Sequence, residues 1–475
     1  MLPEDILLQV IHRLSLKGIL RLRRTCRSIQ RVTQEKLVWL VALDQLDRDG
    51  VPIPHYIPFT SLSSKELESM AIHAFRVDEI WTGKAKGTCR ERDFSQLQIP
   101  DLDMLEWYSL GWSALPGGQW LAIVQEGQMY VCDVEDHGSP LFSGEMTTPE
   151  YGYEVLKPAK LCTGWRTSGT EVEAVIVCHQ NCQVTDRSAM VHITTLRTLV
   201  DIWIVSLPSR RGGLSQTVQL KLHRRINMRG HHVSTSIGET KVAMALMTSP
   251  GYNDIIHLIS LEPTNASKED LSFMPLTEPS KLSDEILAIA LLPQHILTIS
   301  PRSLKLFSIP TTVDTTSAGR AFREPDFLEY ADPGSIQPLS FKTSTTTTGY
   351  TPLRGLQVLP MVINSQERLA FLKTPPDNSE TGLPYAFPPS YRCKSEDGQP
   401  KLQFGAEGRR ALACHTTHLD DRIEMKLHFA TLRVDETWPH FVEAAMPPVR
   451  QATFDESSGR IFCLKDNRIV VYDMY

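Results

Sequence analysis

Residues 120–134 read Trp120-Leu121-Ala122-Ile123-Val124-Gln125-Glu126-Gly127-Gln128-Met129-Tyr130-Val131-Cys132-Asp133-Val134. Two runs of branched and aromatic side chains flank a Glu126-Gly127 turn, and this predicts a hairpin of two strands. Such side chains suit a pleated, half-buried surface, whereas glycine supplies the positive φ that tight turns require.

Outward from that hairpin, the same local pattern returns along the chain. Ala174-Val175-Ile176-Val177-Cys178 is followed by Ile202-Trp203-Ile204-Val205, and Val242-Ala243-Met244-Ala245-Leu246 by Ile255-Ile256-His257-Leu258-Ile259. His295 to Ile299 precedes Leu304 to Ile309, Val358 to Ile363 precedes Arg368 to Leu372, and Arg410 to Cys414 precedes Met425 to Leu432. The last copy is Arg460 to Leu464 with Ile469 to Asp473, across a turn at Asp466-Asn467. About seven copies recur at uneven intervals of very roughly 40–70 residues, and no long amphipathic helix interrupts them. Repeated small antiparallel sheets hide their open edges when stacked radially. The expectation for residues 97–475 is therefore a β-propeller of seven blades, with a pair of β-sandwiches as the alternative. Tyr130 to Asp133, Ile202 to Val205 and Val470 to Asp473 resemble the outer strands of WD-type blades, although the Gly-His and Trp-Asp pairs of that family are missing. Pro375 to Pro400, Thr343 to Gly349 and Ser209 to Gly213 read as loops by composition.

Upstream the period is 3.6, so the fold class is α plus all-β. Leu2-Pro3-Glu4-Asp5 predicts a helix start with proline in the first helical position and two acids at the positive end of the dipole. Ile6, Leu7, Val10, Ile11 and Leu14 form one apolar face, Ser15 to Gly18 breaks the helix, and Ile19, Leu22 and Cys26 restart it. A third helix is expected over Glu35 to Leu46, with Leu37, Val38, Val41 and Trp39 on its buried side. Residues 1–46 thus form a three-helix unit, and residues 47–96 a linker marked by Pro52, Pro54 and Pro58. Within the linker, Ser63 and Glu66 are spaced as a capping box, with Leu62 and Leu67 as its staple, which predicts a helix over about 63–80. A core of three short helices is thin, so part of its apolar surface should serve as an interface.

Leu2-Pro3, Ile6-Leu7, Val10, Leu14, Leu20, Leu22, Thr25-Cys26 and Leu37-Val38-Trp39 follow one another in the order and spacing of the F-box motif, and the first forty residues resemble that family. Ile29 stands where the family places tryptophan, and Thr25 where it places valine. The resemblance implies docking on a Skp-family adaptor and, through it, a cullin–RING ubiquitin ligase. It further implies that Leu2, Pro3, Ile6, Leu7, Val10, Leu14, Leu20, Leu22 and Trp39 make or support the adaptor interface, and that the β region holds a protein target. A non-degradative F-box scaffold and a propeller enzyme with a helical cap are the alternatives.

The search for chemistry finds no constellation. No phosphate-binding glycine loop or dinucleotide fingerprint occurs. Gly111-Trp112-Ser113-Ala114-Leu115 lacks the second glycine of a serine elbow. Cys178, His179 and Cys182, like Cys414, His415 and His418, lack the paired spacing of structural zinc and read as core thiols with ordinary histidines. Asp101 with Asp103, and Asp420 with Asp421, read as loop acids. Arg21, Arg23, Arg24 and Arg27 read as a solvated helical face. No catalytic residue, metal or cofactor is expected.

Bulk properties agree with a binding protein. The 475 residues suit two or three domains, and 41% apolar with 22% charged residues is ordinary for globular chains. A net charge of −6 argues against nucleic acid as partner. No apolar run is long enough to span a membrane, and the acidic start is unlike a secretory leader. Nine scattered cysteines read as reduced and buried, so cytoplasm, nucleus or both are the expected compartments.

Overall fold

The computed structural model describes residues 3–54 and 59–85, most of 111–260 and of 449–474, and elsewhere the strand segments given below. Short N-terminal helices lead into a mostly β region of several antiparallel sheets.

The helical unit contains four helices where the periodicity predicts three: α1 (Glu4–Ile11), α2 (Leu16–Arg23), α3 (Arg27–Val32) and α4 (Lys36–Arg48). The break after α1 falls earlier than expected, because the Ser15 hydroxyl accepts from the Gly18 amide at 3.3 Å and caps α2. Pro3 sits one position before its expected place, as the N-cap residue of α1 with ψ 149°, and its carbonyl accepts from Leu7. Cys26, extended at φ −158°, separates α2 from α3. Ile11, Leu16, Ile19, Val32, Val38, Trp39 and Leu43 make the buried core of this unit.

The proline-marked segment after α4 adds to the helical core. Val51 and Ile53 are 3% and 0% exposed and complete the same core, since burying an aliphatic side chain stabilises by about 1.5–3 kcal/mol. A short 3-10 turn (Phe59–Ser61) then leads to α5 (Ser64–Trp81). The expected capping box is present. Ser63 accepts from the Glu66 amide at 3.3 Å, and the Glu66 carboxylate accepts from the Ser63 amide at 2.6 Å. Leu62 and Leu67 are both buried in the helical core, as a staple requires.

Seven sheets of four or five strands are present among the described residues, and each of the seven expected strand pairs falls in a different one. Six are built from strands nearly consecutive in sequence. In chain order these sheets begin at Gly111–Ala114, Tyr153–Val155, His231–Ile237, Ala288–Leu291, Ile336–Gln337 and Lys401–Phe404. Among the described residues, local assembly is broken twice. The sheet that begins at His231–Ile237 takes Ala321–Arg323 as a parallel edge strand from beyond the next sheet's first three strands. In the terminal sheet, the strand Cys89–Asp93 pairs with the C-terminal strand Arg468–Met474. That first strand lies inside the segment read from sequence as linker. Its residues Arg90, Glu91 and Arg92 carry no apolar alternation, so the period-2 signal is absent.

Adjacent sheets share apolar cores. Leu121, Ile123 and Cys132 pack with Phe462 and Val471, while Ala174, Ile176 and Trp203 pack with Trp120 and Val131. Arg460 stitches the terminal sheet to its neighbour, donating to Asp473 at 2.8 Å, to the Gly118 carbonyl at 2.9 Å and to Glu135. The loops expected at Ser209 to Gly213 and Thr343 to Gly349, and all of Pro375 to Pro400 except the strand Tyr391–Arg392, lie outside the described residues.

Candidate protein-interaction face

Among the described residues, the large apolar side chains left open are Ile6, Val10, Leu37, Val155 and Leu156. Three of the five lie in the first forty residues. Ile6 and Val10, 42% and 47% exposed, are one helical turn apart on α1 and so share a face. Leu37, 53% exposed, lies in the first turn of α4. The neighbours of these residues in sequence point inward: Ile11 and Val38 are fully buried.

The nine residues assigned from sequence to an adaptor interface separate into three groups. Pro3, at the N-cap of α1, and Ile6 and Val10, on it, are exposed. Leu7, Leu14, Leu20 and Leu22 are half-buried and pack against the helical core, so each supports the surface and offers only an edge to it. Trp39 is fully buried and belongs to the core itself. Leu2 lies outside the described residues. Sequence reasoning expected Leu37 to be buried with Val38 and Val41, and the structure corrects this: Leu37 is open, Val41 half-buried and Val38 fully buried. The available signal was the helical phase of α4: Val38, Ala42 and Leu46 fall on the buried side, which places Leu37 off it.

The helical unit is anchored to the β region through α5. The N-terminal half of α5 places Leu67, Ala71 and Ala74 in the helical core, and its last turns place Val77, Ile80 and Trp81 in a core with Leu412, Phe429, Phe454, Ile461 and Tyr472. The Trp81 ring lies 4.6 Å from that of Phe429 and 5.3 Å from that of Phe454. Arg410 lies over the same ring at 5.3 Å, a cation–π distance, and within 3.6 Å of Asp78. Its guanidinium donates to the Glu456 carbonyl at 2.9 Å. The His73 ring donates to the Ser458 carbonyl at 2.9 Å. Gly459, at φ +69°, lets Val77 approach so closely that a Cβ there would lie 2.5 Å from its methyl. On the other side, Lys36 donates to the Thr60 carbonyl at 2.8 Å and Arg23 pairs with Glu68.

The clusters weighed as chemistry do not converge. Ser113 is 7% exposed within a strand and bonds the Thr163 hydroxyl at 3.0 Å, so it is no exposed nucleophile. Cys178, His179 and Cys182 lie on one long strand, Glu171–Asp186, and no group of three metal-ligating side chains forms among the described residues. Burial pushes the Cys132 and Cys162 thiols up to about 12 and Cys178 well above the usual thiol range, which leaves them as inert core residues. The side chains of Cys414, His415 and His418, and the residues Asp101, Asp103, Asp420 and Asp421, lie outside the described residues. No helix among the described residues is long and apolar enough to cross a membrane.

Residues 1–40, which carry α1 to α3, the start of α4 and all three open apolar side chains of that unit, match the family model described as F-box-like. The chain carries an F-box. An F-box points to F-box-mediated protein interaction, and domains of this kind typically bind Skp-family adaptors. No curated protein matches the chain. Among solved structures, it is similar to Hsv2 of Kluyvelomyces marxianus at 9% identity and a TM-score of 0.25, over 68% of this chain and 98% of that one. It is also similar to a chain of the Chaetomium thermophilum Polycomb Repressive Complex 2 bound to GSK126, at 9% identity and a TM-score of 0.42, over 82% of this chain and 98% of that one.

Proposed function

We propose that this chain is the substrate-recognition subunit of a Skp-cullin-F-box ubiquitin ligase. The observation that carries the reading is the placement of Ile6, Val10 and Leu37, open to solvent around a helical core that Ile11, Leu16, Ile19, Val32, Val38, Trp39 and Leu43 already fill. A Skp-family adaptor covers these side chains, and a cullin is recruited through it. The chain contributes proximity instead of catalysis: holding a target beside the charged transfer enzyme turns a bimolecular step into an effectively intramolecular one. Cytoplasm, nucleus or both are the compartments in which such a complex works.

The β region is, in this reading, a seven-bladed propeller that binds the target. Seven sheets in chain order support it, as does the pairing of Cys89–Asp93 with Arg468–Met474, which joins the two ends of the β region in one sheet. Electron cryo-microscopy of the complex should show a ring of seven sheets; two face-packed sandwiches would overturn this part.

The functional test is co-expression with a Skp-family adaptor followed by size-exclusion chromatography. A stable 1:1 complex is expected. Replacing Ile6 and Leu37 by aspartate should weaken it by at least about 2 kcal/mol, because a few buried anchors carry most of the energy of such surfaces. Unchanged co-elution of the doubly substituted chain, with an unchanged melting temperature, would sink the assignment of this face.

A further inference from the structure

A long groove runs along α5 on the side where α2 and α3 pack. It consists of two adjoining cavities of about 690 and 710 Å3, and Arg23, Ile72 and Arg76 line both. Its apolar lining is Leu20, Ile72 and Phe75, all half-buried, together with the buried Met474. Its charges are unbalanced. Of the two acids lining it, Glu68 is taken up by Arg23 and Glu79 lies 3.6 Å from Lys17. Arg24, Arg27, Arg76 and Lys65 are exposed and engage no acid among the described residues.

We propose that this groove is a second docking surface, which takes an acidic peptide segment of a partner protein. Guanidinium groups flanking an aliphatic floor suit a segment that alternates carboxylates with apolar side chains. Each carboxylate gains a charge-assisted, bidentate hydrogen bond, and each apolar side chain is removed from water. A nucleic-acid strand suits the groove less well, since among its apolar lining Phe75 alone offers an aromatic ring, where base stacking needs several. The surface is separate from Ile6, Val10 and Leu37, so adaptor and peptide can be held together.

Cys26 reports on occupancy, because it is exposed and lines the groove, whereas Cys132, Cys162, Cys178, Cys182 and Cys463 are buried. Full-length protein is treated with iodoacetamide, and alkylation of Cys26 is followed by mass spectrometry. The probe is a fluorescein-labelled twelve-residue peptide in which aspartate and glutamate alternate with leucine and phenylalanine. Saturating peptide should slow Cys26 alkylation at least about fivefold by blocking access to the thiol. Fluorescence anisotropy should show Arg24→Glu with Arg76→Glu weakening the peptide at least about tenfold, while Ile6→Asp with Leu37→Asp leaves it unchanged. Equal protection by the peptide with asparagine and glutamine in place of its acids would overturn the proposal. So would tighter binding of a twelve-nucleotide oligothymidine, or an affinity that the two arginine substitutions leave unaltered.

Discussion

His179 is 2% exposed, and its ring lies 3.5 Å from that of His232 with no hydrogen-bond partner on either nitrogen. Burial, with Lys160 opposite it in the strand register and His231 nearby, lowers its pKa from 6.5 to about 3. His232 is lowered well below the usual histidine range by burial, then by His179, Lys160 and His231. A base whose folded pKa is depressed leaves the unfolded chain binding more protons, so stability is fully present above about pH 6.5 and falls as pH drops towards 3. At pH 5 His179 alone accounts for a loss of about 2 kcal/mol. Denaturant midpoints of His179→Leu should therefore fall less between pH 7 and pH 5 than those of the parent; parallel curves would remove this assignment. The stack was not legible in sequence, because His179 and His232 lie far apart along the chain and only the sheet packing brings their rings together. A similar separation applies at the F-box. Trp39→Ala should cost about 3–5 kcal/mol of stability as a core truncation, whereas Leu37→Asp should leave the melting temperature nearly unchanged and weaken adaptor binding. Motif order identified both residues, but only the buried phase of α4 distinguishes the packed one from the open one.

At the scale of elements, α5 was the most legible, and for a local reason. Its capping box and staple use neighbours within six residues, so the sequence carries the whole signal. Ser63→Ala should cost about 1 kcal/mol, and adding Glu66→Ala should cost less than the sum of the two single changes, since each completes the other's hydrogen bond. The far end of α5 was illegible. Trp81, Phe429 and Phe454 come from three distant segments, and Gly459 reveals its purpose only where Val77 meets it. Gly459→Ala combines positive φ with a 2.5 Å approach, so it should destabilise by about 2–3 kcal/mol and shift the Trp81 fluorescence towards that of a more exposed indole. The four-helix count was likewise hidden, because only Arg24, Thr25 and Cys26 separate α2 from α3, and of these Arg24 is still helical while Cys26 is extended.

For the whole molecule, the apolar packing is continuous through the segment that joins the helical unit to the β region. One helix contributes to both cores, so a cut on either side of it leaves apolar surface bare. A chain beginning at residue 86 would expose Phe429, Phe454 and Tyr472, and one ending at residue 63 would lose the lid over Val51 and Ile53. Both truncations should be recovered mainly as insoluble protein, whereas a chain beginning at residue 49 should retain a folded β region; soluble, cooperatively melting protein from residue 86 onward would contradict this. The repeated strand pairs were readable because each is a local hairpin with its own turn. The strand Cys89–Asp93 was not, because its partner lies at the opposite terminus and its composition is that of an exposed charged edge.

Eighteen residues of α5 span about 27 Å at 1.5 Å per residue, with one core at each end. The helix thereby acts as a ruler with a fixed phase. One residue inserted between Ala74 and Val77 would turn whatever the β region holds by about 100° relative to the adaptor face, whereas four would restore the phase to within about 40° and lengthen the span by about 6 Å. If the chain is the substrate receptor proposed above, the pitch of this helix sets in part which lysines of a target come within reach of the transfer enzyme, and families of inserted variants would read that dependence as a periodic function of insert length.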